Sequence, residues 1–163
     1  MPSTYTPIAT QSPTSGASVT FSSISGTYTD LVLVISGRTD TARNLSMQYN
    51  SDTGSNYSAT RMSGTGTSAD STRFTSQTSI PLDGYAYPTN TAGQHNAIVN
   101  IMNYANTTTN KTSIERVNNA SGGTEAFVGL WRNTAAITSV TINVVSGTWS
   151  SGATLTLYGI KSA

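Results

Sequence analysis

Val19-Thr-Phe-Ser-Ser-Ile-Ser-Gly-Thr-Tyr-Thr-Asp-Leu-Val-Leu-Val-Ile-Ser-Gly-Arg38 is an alternating segment, a Gly turn and then a run with no polar break. Val19 and Phe21 alternate with hydroxyl residues, which predicts a strand with one face on a core and one in water. Leu31 to Ile35 is apolar at every position and predicts a strand covered on both sides. Nothing in this stretch is chemically reactive, so the residues alone predict an all-β binding or structural module.

Similar segments recur outward from it at about 5–10, 17–24, 30–37, 44–50, 71–82, 95–104, 111–118, 125–132, 138–146 and 153–161, separated by Gly, Asn and Ser. This spacing favours a sandwich or barrel. Val140, Ile142 and Val144 alternate with polar partners, and Leu155 and Leu157 repeat the pattern, so Ser146–Gly152 reads as a hairpin loop between the last two strands. Asn96 to Tyr104 mixes both periods, but its β-branched residues and the turn at Asn106–Asn110 favour a strand. Residues 51–72, rich in Ser, Gly and Thr, predict long loops. With no internal repeat and no linker, residues 1–163 are expected to form one domain. The fold expected is an antiparallel β-sandwich, jelly-roll-like, of about 8–10 strands with little or no helix.

Of the 163 residues, 36% are hydrophobic and 9% charged, and Ser with Thr supplies roughly a third. A chain of this length can bury a core without metal or disulfide, and it has no cysteine. The surface is expected to be neutral and hydroxyl-rich, tolerant of salt and of close neighbours. A net charge of +1 with scattered Arg and Lys offers no footprint for nucleic acid. No apolar run approaches the roughly 20 residues that span a bilayer, and the start, Met-Pro-Ser-Thr-Tyr5, lacks the features of an export signal. Synthesis in a cytoplasm is expected, with any exterior reached by another route.

The reactive residues form no catalytic constellation. Asp52-Thr53-Gly54 has the composition of an aspartic protease triplet but follows Asn50 and Ser51 rather than an apolar strand, and predicts a turn. Asn50 to Asn56 alternates side-chain oxygens as a calcium loop would, yet Arg61 stands where an EF-hand needs a bidentate Glu. His95 has no second His and no Cys with which to hold zinc, and no Gly-x-Ser-x-Gly elbow occurs. Glu115 and Glu125 have the chemistry of a glycosidase acid pair, but ion pairs with Arg116 and Arg132 at strand edges are the simpler expectation. No cofactor is implied. Tyr57, Tyr85, Tyr87 and Trp149 fall in expected loops, where rings can stack on sugars or anchor a partner.

Tyr5-Thr-Pro-Ile-Ala-Thr10, Val19-Thr-Phe-Ser-Ser-Ile-Ser-Gly-Thr-Tyr28 with the apolar strand after it, Gln48-Tyr-Asn-Ser-Asp-Thr-Gly-Ser-Asn-Tyr-Ser58 and the terminal Leu157-Tyr-Gly-Ile-Lys161 resemble a family of β-sandwich virion proteins of tailed bacteriophages, marine and cyanobacterial phages above all. The resemblance spans nearly the whole chain and supplies no catalytic residues. It implies a structural protein on the virion surface, assembled in the host cytoplasm, with the major capsid protein or other virion proteins as partners. The first strand begins almost at once, with no heptad shaft, which favours a capsid decoration or cement protein, a homotrimer by expectation. The alternative is a tail-fibre or spike module recognising host-surface glycans. On either reading His95→Ala should leave partner binding intact; loss of binding by a folded His95→Ala protein would return catalysis or ligation to consideration.

Overall fold

Leu31, Leu33 and Ile35 point into the core from β3 (Asp30–Gly37), and Leu33 is 0% exposed. The computed structural model describes residues 4–40, 44–83, 95–119 and 122–161. β3 lies between β12 (Thr154–Ile160) and β8 (His95–Met102), antiparallel to both, with Leu33 opposite Leu157 and Val99. Val32, on the other face, is also buried. Val34 on that face is half-buried, and the second sheet packs only on the Leu31, Leu33 and Ile35 side, so the strand is central but is covered by a second layer on one side rather than on both as the apolar run predicts.

The large sheet continues on both sides. β1 (Tyr5–Gln11) closes one edge against β12, while β9 (Lys111–Asn119), β10 (Gly123–Trp131), β5 (Tyr57–Gly64) and β6 (Ala69–Gln77) follow β8 toward the other. The second sheet holds four strands in the order β2 (Ser18–Phe21), β11 (Val140–Val144), β4 (Leu45–Tyr49) and β7 (Ile80–Pro81). All named pairings are antiparallel and no helix occurs among the described residues. Val19, Phe21, Val140, Ile142, Leu45 and Met47 belong to the same core cluster as Leu31, Leu33, Val99, Phe127 and Leu157, so the fold is an all-β sandwich with eight strands against four.

Three expectations need correction. Twelve strands form among the described residues rather than about 8–10, because the 71–82 run splits into β6 and β7, which join different sheets, and β5 forms where loop was expected. Residues 51–72 are not mostly loop: β5 and the start of β6 pair there, with Arg61 opposite Thr72. Their Ser, Thr, Ala and Arg residues carry no apolar alternation, and the ladder is held by backbone bonds that such side chains do not advertise. Ser146–Gly152 is not a hairpin loop but a crossover between sheets, since β11 and β12 lie in different ones. Thr39 and Trp149 bridge there, and the Trp149 amide donates to the Gly16 carbonyl at 2.9 Å.

Both edges of the large sheet are blunted. β1 carries Pro7 and an irregularity between Pro7 and Ala9, and β6 carries Asp70, Arg73 and a left-handed Ser76 at φ 52°; such devices discourage strand addition. An unpaired carboxylate at position 33 would cost several kcal/mol, a large share of a total stability of about 5–15 kcal/mol. Leu33→Asp should therefore yield no cooperative thermal transition by circular dichroism, whereas a soluble variant melting like the parent would contradict the burial.

Candidate functional site

Two of the aromatic rings expected in loops, Tyr57 and Trp149, are part of the core. Tyr57 opens β5, and its buried ring stacks on Trp131 with centroids 6.2 Å apart and planes 16° from parallel. Its hydroxyl accepts the Tyr49 amide at 3.0 Å and faces the carbonyls of Tyr49 and Asp52 at 3.2 and 3.1 Å; burial pushes it up to about 12. Trp149 is buried at the bridge to Thr39. Neither ring is free for a sugar or a partner, because each fills space between the sheets or beneath their crossover. Tyr85 and Tyr87 lie outside the described residues.

The Asp52 segment is a structural turn. Asn50 and Ser51 adopt φ 51° and 55°, and the Asp52 amide donates to the Tyr49 carbonyl at 2.9 Å, the pattern of a tight turn with two left-handed residues. The Asp52 carboxylate accepts Trp131 Nε1 at 2.7 Å, the Gly54 amide at 2.8 Å and Asn56 Nδ2 at 2.9 Å. The indole bond above all holds this carboxyl below its ordinary value. Among the described residues no group of three His, Asp or Glu is close enough to share a metal ion. The backbone of His95 pairs with Gly37 at the start of β8.

Glu115 and Glu125 do not make the expected edge pairs. Both point into the sandwich, 0% and 3% exposed, while Arg116 lies on the opposite face of β9 and Arg132 donates to Ser58 Oγ and to the Ser55 and Tyr57 carbonyls. Arg61, also buried, stands 3.6 Å from Glu125 and 2.9 Å from Asp70. Ser113 Oγ donates to Glu115 Oε1 at 2.5 Å, whereas Glu115 Oε2 and the Tyr49 hydroxyl are buried with no hydrogen-bond partner among the described residues. Gly129 makes the room: a Cβ there would lie 2.6 Å from Ser113 Oγ and 3.0 Å from Glu115 Oε1. Asp83 completes the cluster by accepting the Leu45 amide at 3.0 Å. Burial pushes Glu115 up to about 7 and Asp83 well above the carboxylate range. These acids have the unequal environments of a catalytic pair; the side chains of Glu115 and Glu125 are buried in the sandwich, and Glu125 also lies at the wall of a surface depression.

Among the described residues, most of the exposed large apolar side chains gather on the outer face of the large sheet. Across six strands from β12 to β5 the outward positions form four rows in register. The first contains Ile160, Asp30, Met102 and Leu130; the second Tyr158, Val32, Ile114 and Val128; the third Val34, Ile98, Arg116, Ala126 and Met62. The fourth is wholly polar apart from Gly64: Thr154, Ser36, Asn96, Asn118 and Thr124. Met62, Val128 and Ile114 are 64%, 55% and 42% exposed, and Ile114 lies directly opposite Val128. A depression of about 550 Å³ opens where the third row meets the fourth, around Ile98, Arg116, Asn118, Thr124 and Met62. The signal for this face was present in β10, where Ala126, Val128 and Leu130 alternate with Phe127 and Trp131, leaving both sides apolar.

No family model and no curated protein matches the chain. Among solved structures, a crystal structure of exo-inulinase from Aspergillus awamori is similar at 11% identity and a TM-score of 0.46, over 96% of this chain and 29% of that one. The chain thus spans under a third of that structure's length, and a likeness this distant assigns it no activity.

Glu115 binds its proton more tightly in the folded chain, at about 7 against 4.5 for the free group. Between those values the folded state holds a proton that the unfolded state has lost, so stability falls as pH rises from about 4.5 to 7. For Glu115 alone the loss is about 3 kcal/mol, and Asp83 adds to it with the same sign. Glu115→Gln should flatten this dependence in urea titrations at pH 5 and 8, stabilising the protein chiefly at pH 8. An unchanged slope would show that Glu115 does not titrate in this window.

Proposed function

We propose that the protein works by contact rather than by catalysis, as a structural component of a tailed-phage virion, and within it as a decoration protein that binds and stabilises the head. The observation that carries the reading is the outer sheet face, whose apolar rows beside a polar margin have the composition of a protein interface. The reactive acids lie inside, and the sequence resemblance to phage β-sandwich virion proteins supplies the particle. A bound copy would add interface area at junctions of the capsid lattice, favouring the assembled shell by mass action.

The glycan-binding alternative loses two of its four proposed rings to the core, Tyr57 and Trp149. Deleting the gene from the producing phage should give heads without surface projections that rupture at a lower temperature in a thermal release assay. Intact heads with altered tail tips and lost adsorption would support the receptor-binding alternative, and unchanged particles would overturn both.

A further inference from the structure

Six strands of outward side chains, about 4.8 Å apart and seven residues long, project to an area of about 700 Å². Specific interfaces bury about 600–1,000 Å² on each partner, so this one face falls within the range that holds a stable complex. We propose that its occupant is a second copy of the same chain, the two eight-stranded sheets packing face to face about a two-fold axis. The proposal rests on the contact role given above and assigns this face to the contact between copies, so that the head is met by the remaining surface of the pair.

Three observations favour a second copy. An isologous contact sets a patch against itself, so the patch must not carry a net charge that would be doubled on closure. Asp30 and Arg116 are the two charged residues in the four rows of these six strands, opposite in sign and on different strands, and they cancel; Arg73 of β6, opposite Thr60, adds one positive charge at the margin of the face. A strongly acidic or basic partner would find no matching field there.

The edges of the large sheet offer a second copy less than its face. Pro7 and the irregularity beside it obstruct β1, and Asp70, Arg73 and left-handed Ser76 mark β6, so growth by strand addition is opposed. The exposed large apolar side chains are also concentrated on the face: Tyr5, Met62, Met102, Ile114 and Val128 lie on it, and Val145 does not. Sheet-on-sheet packing, aligned or crossed, is how such surfaces ordinarily close.

Sedimentation equilibrium of the full chain from about 1 to 100 µM, the span in which a standard-sized interface is expected to associate, should give twice the 17.0 kDa chain mass. Ile114→Lys with Val128→Lys places four like charges in the closed interface and should weaken self-association about 100-fold or more, while Thr20→Lys on the exposed side of β2 should not. Circular dichroism should show that all of these variants remain folded. Should the double variant unfold, Met62→Lys alone carries the test. A monomer throughout the range, a trimer, or a dimer indifferent to these charges would overturn the proposal. A monomer that still binds phage heads would sink the self-pairing and leave the decoration role standing, and a dimer that leaves heads bare would do the reverse.

Discussion

The ladder between β9 and β10 is the constraint on which the rest depends. Residues on a strand alternate between faces, so a slip of one position would exchange the inner and outer sets along its whole length. With Phe127 opposite Glu115 and Val128 opposite Ile114, the register sends Lys111, Ser113, Glu115 and Val117 inward and Thr112, Ile114, Arg116 and Asn118 outward. β9 is thus inverted relative to an ordinary half-buried strand: it buries a lysine and a carboxyl and exposes an isoleucine.

That inversion is tolerated because the interior meets most of its polar demands. Lys111 Nζ donates to the carbonyls of Thr109 and Thr134 at 2.7 and 3.0 Å, and Arg61 stands between Glu125 and Asp70. Gly129 leaves space for Ser113 to reach Glu115. Glu115 is the member served least, with one oxygen bonded and the other not, and this is why burial dominates its proton affinity. Buried polar groups of this kind contribute less to stability than apolar residues of equal volume, but they penalise any register that would leave them without their partners.

The two-layer arrangement sets the outside. The second sheet packs on one side of the large sheet, so the apolar residues of β8, β9, β10 and β5 that point away from the core remain at the surface. For an isolated protein such a face favours association; for one that assembles it is a ready contact. The blunted edges β1 and β6 direct that association to the face rather than to further strand pairing.

The apolar run of β3, the alternation of β11 and β12 and the punctuation by Gly and Asn determined the all-β class and the limits of most strands, because those signals are local and the side-chain period is built into the chain. The turn at Asp52 was equally legible, since Asn, Ser and Gly tolerate the left-handed backbone it needs. The sequence did not determine that β5 exists, that the 71–82 run divides between two sheets, that Ser146–Gly152 passes between sheets, or that Tyr57 and Trp149 are core residues. Nor did it show which side of β9 is wet. In a strand such as Lys111-Thr-Ser-Ile-Glu-Arg-Val117 both alternating sets mix polar and apolar residues, so periodicity gives no direction. Only pairing with β8 and β10, strands whose core faces are fixed by Val99, Ile101, Phe127 and Trp131, decides it.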